Sequence, residues 1–101
     1  MHKQQIEQRK ADHYGVVGDL TFESVVFVEK EGFGVIDEGG EKIILDLSHV
    51  EVCSSAAVAL LLSWLRYANK RQKALLFSGV PASLMAMIQS AELESIITVQ
   101  H

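Results

Sequence analysis

Five side chains capable of chemistry fall within ten residues of one another: the Asp46 carboxylate, the His49 imidazole, the Cys53 thiol and the hydroxyls of Ser54 and Ser55. A nucleophilic serine would need an adjacent base and an oxyanion hole, and no Gly-x-Ser-x-Gly elbow surrounds either serine. The histidines His2, His13, His49 and His101 are scattered, and none stands at a metal-ligand spacing from another His, Cys or acid. Gly32-Phe33-Gly34 lacks the further glycine of a phosphate-binding loop, and Gly39-Gly40 precedes a strand rather than a helix. What remains is a hydroxyl-bearing turn, Ser54 to Ala57, suited to recognition rather than reaction. One of the two serines is expected to cap the following helix, and the pair also offers an exposed contact or a phosphoacceptor. Asp46 is expected either to be held by backbone amides of the loop after its strand or to touch a partner. Cys53 is the sole cysteine, so it forms no intramolecular disulfide and fits a reduced compartment.

The flanking pattern says what positions this turn. Ile43 to Leu47 reads as a buried strand, and residues 56–71 as a helix whose core face is Val58, Leu61, Leu62 and Leu65. A second stripe, Ala57, Leu60, Trp64 and Tyr67, widens the apolar arc. It implies either burial against neighbouring helices with Trp64 at the rim, or a partner-binding face. Lys70, Arg71 and Lys73 sit where cations complement the end of this helix. Residues 74–77 read as a second buried strand, and Pro81 suits the first turn of a helix to about Ala91 with Leu84, Met87, Ile88 and Ala91 inward.

Upstream, residues 14–20 form a strand broken at Gly18, with Thr21 as a helix cap. Segment 22–38 carries both a β-branched run and helical spacing, with Gly32 and Gly34 disfavouring a helix. A helix is preferred because the chain must cross to the strand at 42–47. Residues 1–13 read as a frayed polar tail, leaving one domain over 14–101, and Leu93 and Ile96-Ile97 as a last turn or an edge strand. The alternation of strands and helices is that of an α/β domain with helices packed on a sheet.

With 101 residues, 49% apolar and 22% charged, the chain has the balance of a single globular domain. A net charge of −4 argues against nucleic acid and against an anionic membrane surface. The polar N-terminus has no signal-peptide core, and the longest apolar run, Ala56 to Leu65, falls short of the ~18 residues a membrane span needs. A soluble cytoplasmic protein is the expectation.

Gly18-Asp19-Leu20-Thr21-Phe22, Ile44-Leu45-Asp46-Leu47-Ser48, the turn at 54–57, Val58 to Leu62, Ser63-Trp64-Leu65-Arg66 and Ser78-Gly79-Val80-Pro81 together resemble a STAS domain. That family is shared by anti-sigma-factor antagonists and the cytoplasmic tails of sulfate transporters. The chain looks most like the branch holding the small stand-alone subunit of the Mla phospholipid-transport system. The resemblance implies a mixed sheet, no catalysis, no cofactor and no metal. It implies docking on an ABC-type ATPase, and through it on a permease at the inner membrane, by way of His49, Ser54, Ser55, Ala56, Ala57, Leu60 and Trp64. The family's usual Asp–Ser/Thr–Ser/Ala/Gly–Gly turn reads Ser54-Ser55-Ala56-Ala57 here. The position phosphorylated in anti-sigma-factor antagonists is Ala56, so that switch is excluded, whereas Ser55 keeps the contact hydroxyl. The alternative, an anti-sigma-factor antagonist, would need Ser55 to replace Ala56 as its phosphoacceptor. A carrier of a small apolar ligand is a third possibility.

Overall fold

Strands β1 (Ile6–Lys10) and β2 (His13–Leu20) precede helix α1 (Val25–Glu38). Strand β3 (Lys42–Cys53), helix α2 (Ala56–Lys70), strand β4 (Ala74–Ser78), helix α3 (Ala82–Ser90) and strand β5 (Val99–Gln100) follow. These elements are those of a computed structural model that describes residues 4–97 and 99–100. The strands form one sheet in sequence order, β1-β2-β3-β4-β5, with β1 antiparallel to β2 and every later pairing parallel. Each parallel step needs a crossover, and α1, α2 and α3 supply them. The expected mixed α/β sheet with packed helices is what is found.

Alternation along β3 sets the core. Ile43, Leu45 and Leu47 are buried and join Leu61, Trp64, Leu84 and Ile88 of the helices in one cluster, while Ile44 and Asp46 fall on the opposite face. The strand does not stop at Leu47. After a bulge it continues to Cys53 along β2, so His49 lies on a strand and not in a loop.

Of the residues expected to fray, 6–10 instead build an edge strand, and 1–3 lie outside the described residues. Ile6 is 2% exposed in the core. The backbone N–H groups of Gln5 and Ile6 donate to the Glu31 carboxylate of α1, at 3.0 and 3.1 Å to Oε2. The domain therefore starts well before residue 14. The polar composition concealed this because one buried aliphatic side chain suffices for a strand whose other side chains face water.

Segment 22–38 does contain one helix, starting at Val25. Thr21 does not cap it. Ser24 precedes it, and its hydroxyl donates to the Asp19 carbonyl at 2.7 Å. Gly32, which counts against a helix on propensity alone, is where Trp64 of α2 packs: a Cβ at Gly32 would overlap the indole Nε1 and Cε2 atoms. Trp64 Nε1 donates to the Glu29 carbonyl at 3.1 Å.

Beyond this contact, Phe33 stacks on Tyr67 with centroids 4.2 Å apart, and Arg71 lies 3.5 Å above the Tyr67 ring. Arg71 also pairs with Asp37 at 2.7 Å. Lys73 Nζ donates to the carbonyls of Ile36, Asp37 and Gly39 at 2.6, 3.1 and 2.9 Å. Two of the three cations assigned to the end of α2 thus serve the end of α1, where orphan carbonyls need donors.

In α3, Leu84 and Ile88 are buried, Met87 is half-buried and Ala91 is exposed. Ile97 is buried in the turn before β5, the short edge strand that closes the sheet.

Candidate functional site

The Ser54–Ala57 turn forms because β3 ends against β2. Ser54 N–H donates to the Leu20 carbonyl at 3.0 Å, which extends the ladder by one bond beyond Cys53. Ser54 Oγ then accepts from the Ala56 N–H, the first amide of α2, at 3.2 Å, while Ser55 holds the N-cap position without a side-chain cap bond. Ser55 is left exposed, and its hydroxyl bonds to nothing among the described residues. The two adjacent hydroxyls thus divide the work: one holds the helix and the other faces outward.

The remaining expected contact residues separate by burial. His49 is exposed. Ala56, Ala57 and Leu60 are buried, and Trp64 is 0% exposed. Trp64 therefore belongs to the core and offers no surface to a partner, while Leu60, 3% exposed, shows only at the floor of the groove against α1. The two stripes of α2 exchange roles relative to the sequence reading. Ala57, Leu60, Leu61, Trp64 and Ala68 face inward, whereas Val58, Leu62 and Leu65 of the expected core face are only half-buried. Hydrophobicity alone does not separate two apolar stripes. The glycine opposite Trp64 was the available signal, since a bulky indole is buried where a neighbouring helix presents no side chain.

The outward stripe creates an apolar surface that the sequence reading missed. On one side of α2, Ser55, Val58, Ala59, Leu62, Ala86 and Met87 line a groove of about 600 Å3 against α3. On the other, Phe22, Val25, Val26 and Ala59 line a smaller groove of about 280 Å3 against α1. Ala59 is the ridge shared by both. Phe22 is 70% exposed, Val26 55% and Val52 53%. These side chains leave apolar area open to solvent.

Two titratable groups of β3, Cys53 and Asp46, are shifted from their ordinary values. Burial pushes the Cys53 thiol up, and the Asp19 carboxylate raises it further, so the thiolate nucleophile is disfavoured. Asp46 accepts the Ser48 N–H at 2.9 Å and the Ser48 hydroxyl at 3.0 Å, and Arg9 approaches at 3.6 Å across Gly15. This is the amide-held role expected of it. Ser48 Oγ also lies 3.3 Å from His49 Nδ1.

Partial burial pushes the Asp46 carboxyl up, but the Ser48 N–H and hydroxyl, then Arg9 and His49, outweigh it and hold the group below its ordinary value. A depressed folded-state value contributes stability above the unfolded-state value and loses it as pH falls through the folded one. Asp46→Asn is therefore expected to flatten the acid arm of a stability–pH curve by less than about 1 kcal/mol, since the pair is partly solvated. Urea unfolding at a series of acidic pH values measures it, and an unchanged acid arm refutes the assignment.

This one-sided mixed sheet, with a hydroxyl-bearing turn leading into an apolar helix, agrees with the comparisons to known proteins. The sequence profile of MlaB-type STAS domains matches residues 5–98. The chain belongs to the STAS domain family, MlaB-like branch. No curated protein sequence matches it.

Among solved structures, this STAS domain superposes on a Thermotoga maritima protein described as a candidate anti-sigma factor antagonist. The TM-score is 0.73 at 19% identity, covering 87% of this chain and 78% of that one. It superposes on the unphosphorylated anti-sigma factor antagonist SpoIIAA with a TM-score of 0.72 at 16% identity, covering 96% and 87%. The STAS domain of a SulP transporter from Vibrio cholerae gives 0.65 at 21% identity, covering 92% and 74%. At these identities the likeness is one of fold. Members of the family are regulatory or accessory proteins. No helix among the described residues is long and apolar enough to cross a membrane.

Proposed function

We propose that this STAS domain is a non-enzymatic accessory subunit that docks on the ATPase of an ABC-type phospholipid-trafficking transporter, and through it associates with a permease at the inner membrane. The observation that carries the reading is the apolar face centred on Ser55 and Ala59, on a chain matched by the MlaB-type profile. A constitutive dock also fits the turn. Ala56 of the turn is buried and has no hydroxyl to modify.

The interface would use the exposed members of the turn region, Ser55 and His49, together with Val58, Ala59, Leu62 and Phe22. Leu60 and Trp64 would support it from beneath. In co-expression, the wild-type chain is expected to co-purify with the ABC-type ATPase of its own genome's phospholipid-trafficking system, and Ser55→Arg to lose it. Equal retention of the ATPase by both proteins overturns this surface.

The second reading, an anti-sigma-factor antagonist, is favoured by one observation: the Ser55 hydroxyl is exposed and unengaged, as a phosphoacceptor must be. Phosphate mapped to Ser55 after incubation with a cognate anti-sigma-factor kinase would establish that reading in place of constitutive docking, and an unmodified Ser54-Ser55 peptide would remove it.

A further inference from the structure

Charge is distributed unevenly along this chain, and the unevenness falls on the docking face. The nine Lys and Arg residues are Lys3, Arg9, Lys10, Lys30, Lys42, Arg66, Lys70, Arg71 and Lys73. None lies in segments 11–29, 43–65 or 74–101. The first two of these segments supply the strand ends, the start of α1 and the first turns of α2, and the third supplies α3.

The same segments carry exposed carboxylates at the margin of the apolar face. Glu23 follows Phe22 in the approach to α1, Glu51 stands next to exposed Val52 at the end of β3, and Asp19 acts electrostatically on Cys53 beside the turn. Among the described residues, none of these three carboxylates makes an ion pair or a side-chain hydrogen bond. Among the described residues, the basic side chains flanking the face along its helices are Lys30, one turn past Val26, and Arg66, one turn past Leu62, and neither pairs with these carboxylates.

We infer that the surface seated on this face is a protein surface apolar at its centre and basic at its margin, its Lys or Arg side chains opposing Asp19, Glu23 and Glu51. The inference rests on the docking reading above and specifies its partner: the ATPase subunit must present such a patch. The charge pattern also selects this occupant over others. A second copy related by a two-fold axis would bring the same carboxylates face to face, and like charges in one interface cost affinity. An anionic lipid surface is repelled for the same reason. A basic partner gains both the apolar burial and a field that steers its encounter.

The test is a binding titration of the complete chain against that ATPase at ~50 and ~500 mM salt, a range over which surface charges pass from weakly to strongly screened. It compares wild type, the neutralised variant Asp19→Asn/Glu23→Gln/Glu51→Gln, and Ser55→Arg, with circular dichroism confirming that each is folded. Wild-type affinity is expected to weaken with salt. The neutralised variant is expected to bind about tenfold more weakly at low salt, chiefly through a slower on-rate, and to lose most of the salt dependence.

If Ser55→Arg abolishes binding while the neutralised variant matches wild type at both salt concentrations, the basic margin is wrong and the docking reading stands. Wild-type binding that strengthens with salt overturns the margin as well. If the wild-type chain binds no ATPase at either salt concentration, the docking reading falls and this inference falls with it.

Discussion

Gly32→Ala is expected to destabilise the domain by about 3 kcal/mol, lowering the midpoint of thermal unfolding by roughly 12–24 °C. The sign is the informative part. On helix propensity alone, alanine in a helix interior should gain up to about 1 kcal/mol over glycine. At Gly32 the added Cβ would overlap Nε1 and Cε2 of Trp64, and the indole cannot retreat. It is 0% exposed, and its N–H is bound to the Glu29 carbonyl at 3.1 Å. Either the indole shifts and leaves that carbonyl short of a donor, or α1 and α2 separate and loosen the Phe33–Tyr67–Arg71–Asp37 stack beyond them.

Gly34 supplies the control within the same helix. Nothing lies within 4 Å of a Cβ there, so Gly34→Ala should stabilise by about 0.5–1 kcal/mol. Denaturant unfolding of both variants measures the contrast. A second check pairs Gly32→Ala with Trp64→Leu, whose separate costs should not add, because the smaller side chain removes the overlap. A stabilising Gly32→Ala, or fully additive costs in the pair, would show that the indole does not fix the spacing of α1 and α2.

Local rules read most of the fold correctly because the strands at 43–47 and 74–77 are short, apolar and bounded by turn residues. The helix at 56–70 is too long and too apolar to be anything else. The helix at 25–38 was reached by topology, since a parallel β2–β3 pairing leaves no other way to cross. The errors share a cause. Ile6 gave the first strand too weak a signal, because its partners in stability, the Glu31 carboxylate and the edge of β2, lie far along the chain. The inward and outward faces of α2 were exchanged because both stripes are apolar, and only the three-dimensional position of Gly32 decides which is covered. The same exchange governs the site. Ser55 and His49 were legible as exposed polar groups beside a turn, whereas Val58 and Leu62 resembled ordinary core and are half-buried at the lip of a groove, and Ala59 belonged to neither stripe.

That exchange makes Ala59 the most demanding position for the proposed function. Ala59→Arg is expected to leave the midpoint of thermal unfolding within a few degrees of wild type, because the residue is exposed on a helix surface and arginine is nearly as good a helix former as alanine. ATPase affinity should fall about 100-fold or more, close to 2.8 kcal/mol at 1.4 kcal/mol per tenfold. The magnitude follows from position. Ala59 lines both grooves, so a long side chain there blocks the seating of anything that fills either, and it does so at the centre of the face, where contacts contribute most.

Charge then separates bulk from electrostatics. Ala59→Gln introduces comparable obstruction without charge, and Ala59→Glu introduces the opposite sign. Opposite an apolar centre the uncharged Gln should be tolerated best, since a charge sealed there loses its water, and the basic margin should then favour Glu over Arg, a difference that steric exclusion alone does not produce. Titration of the three variants against the ATPase at low salt reads that order. If Ala59→Arg binds within about threefold of wild type, the ridge between the grooves is not at the interface, and docking would have to be sought on the open face of the sheet around Ile44 and Asp46.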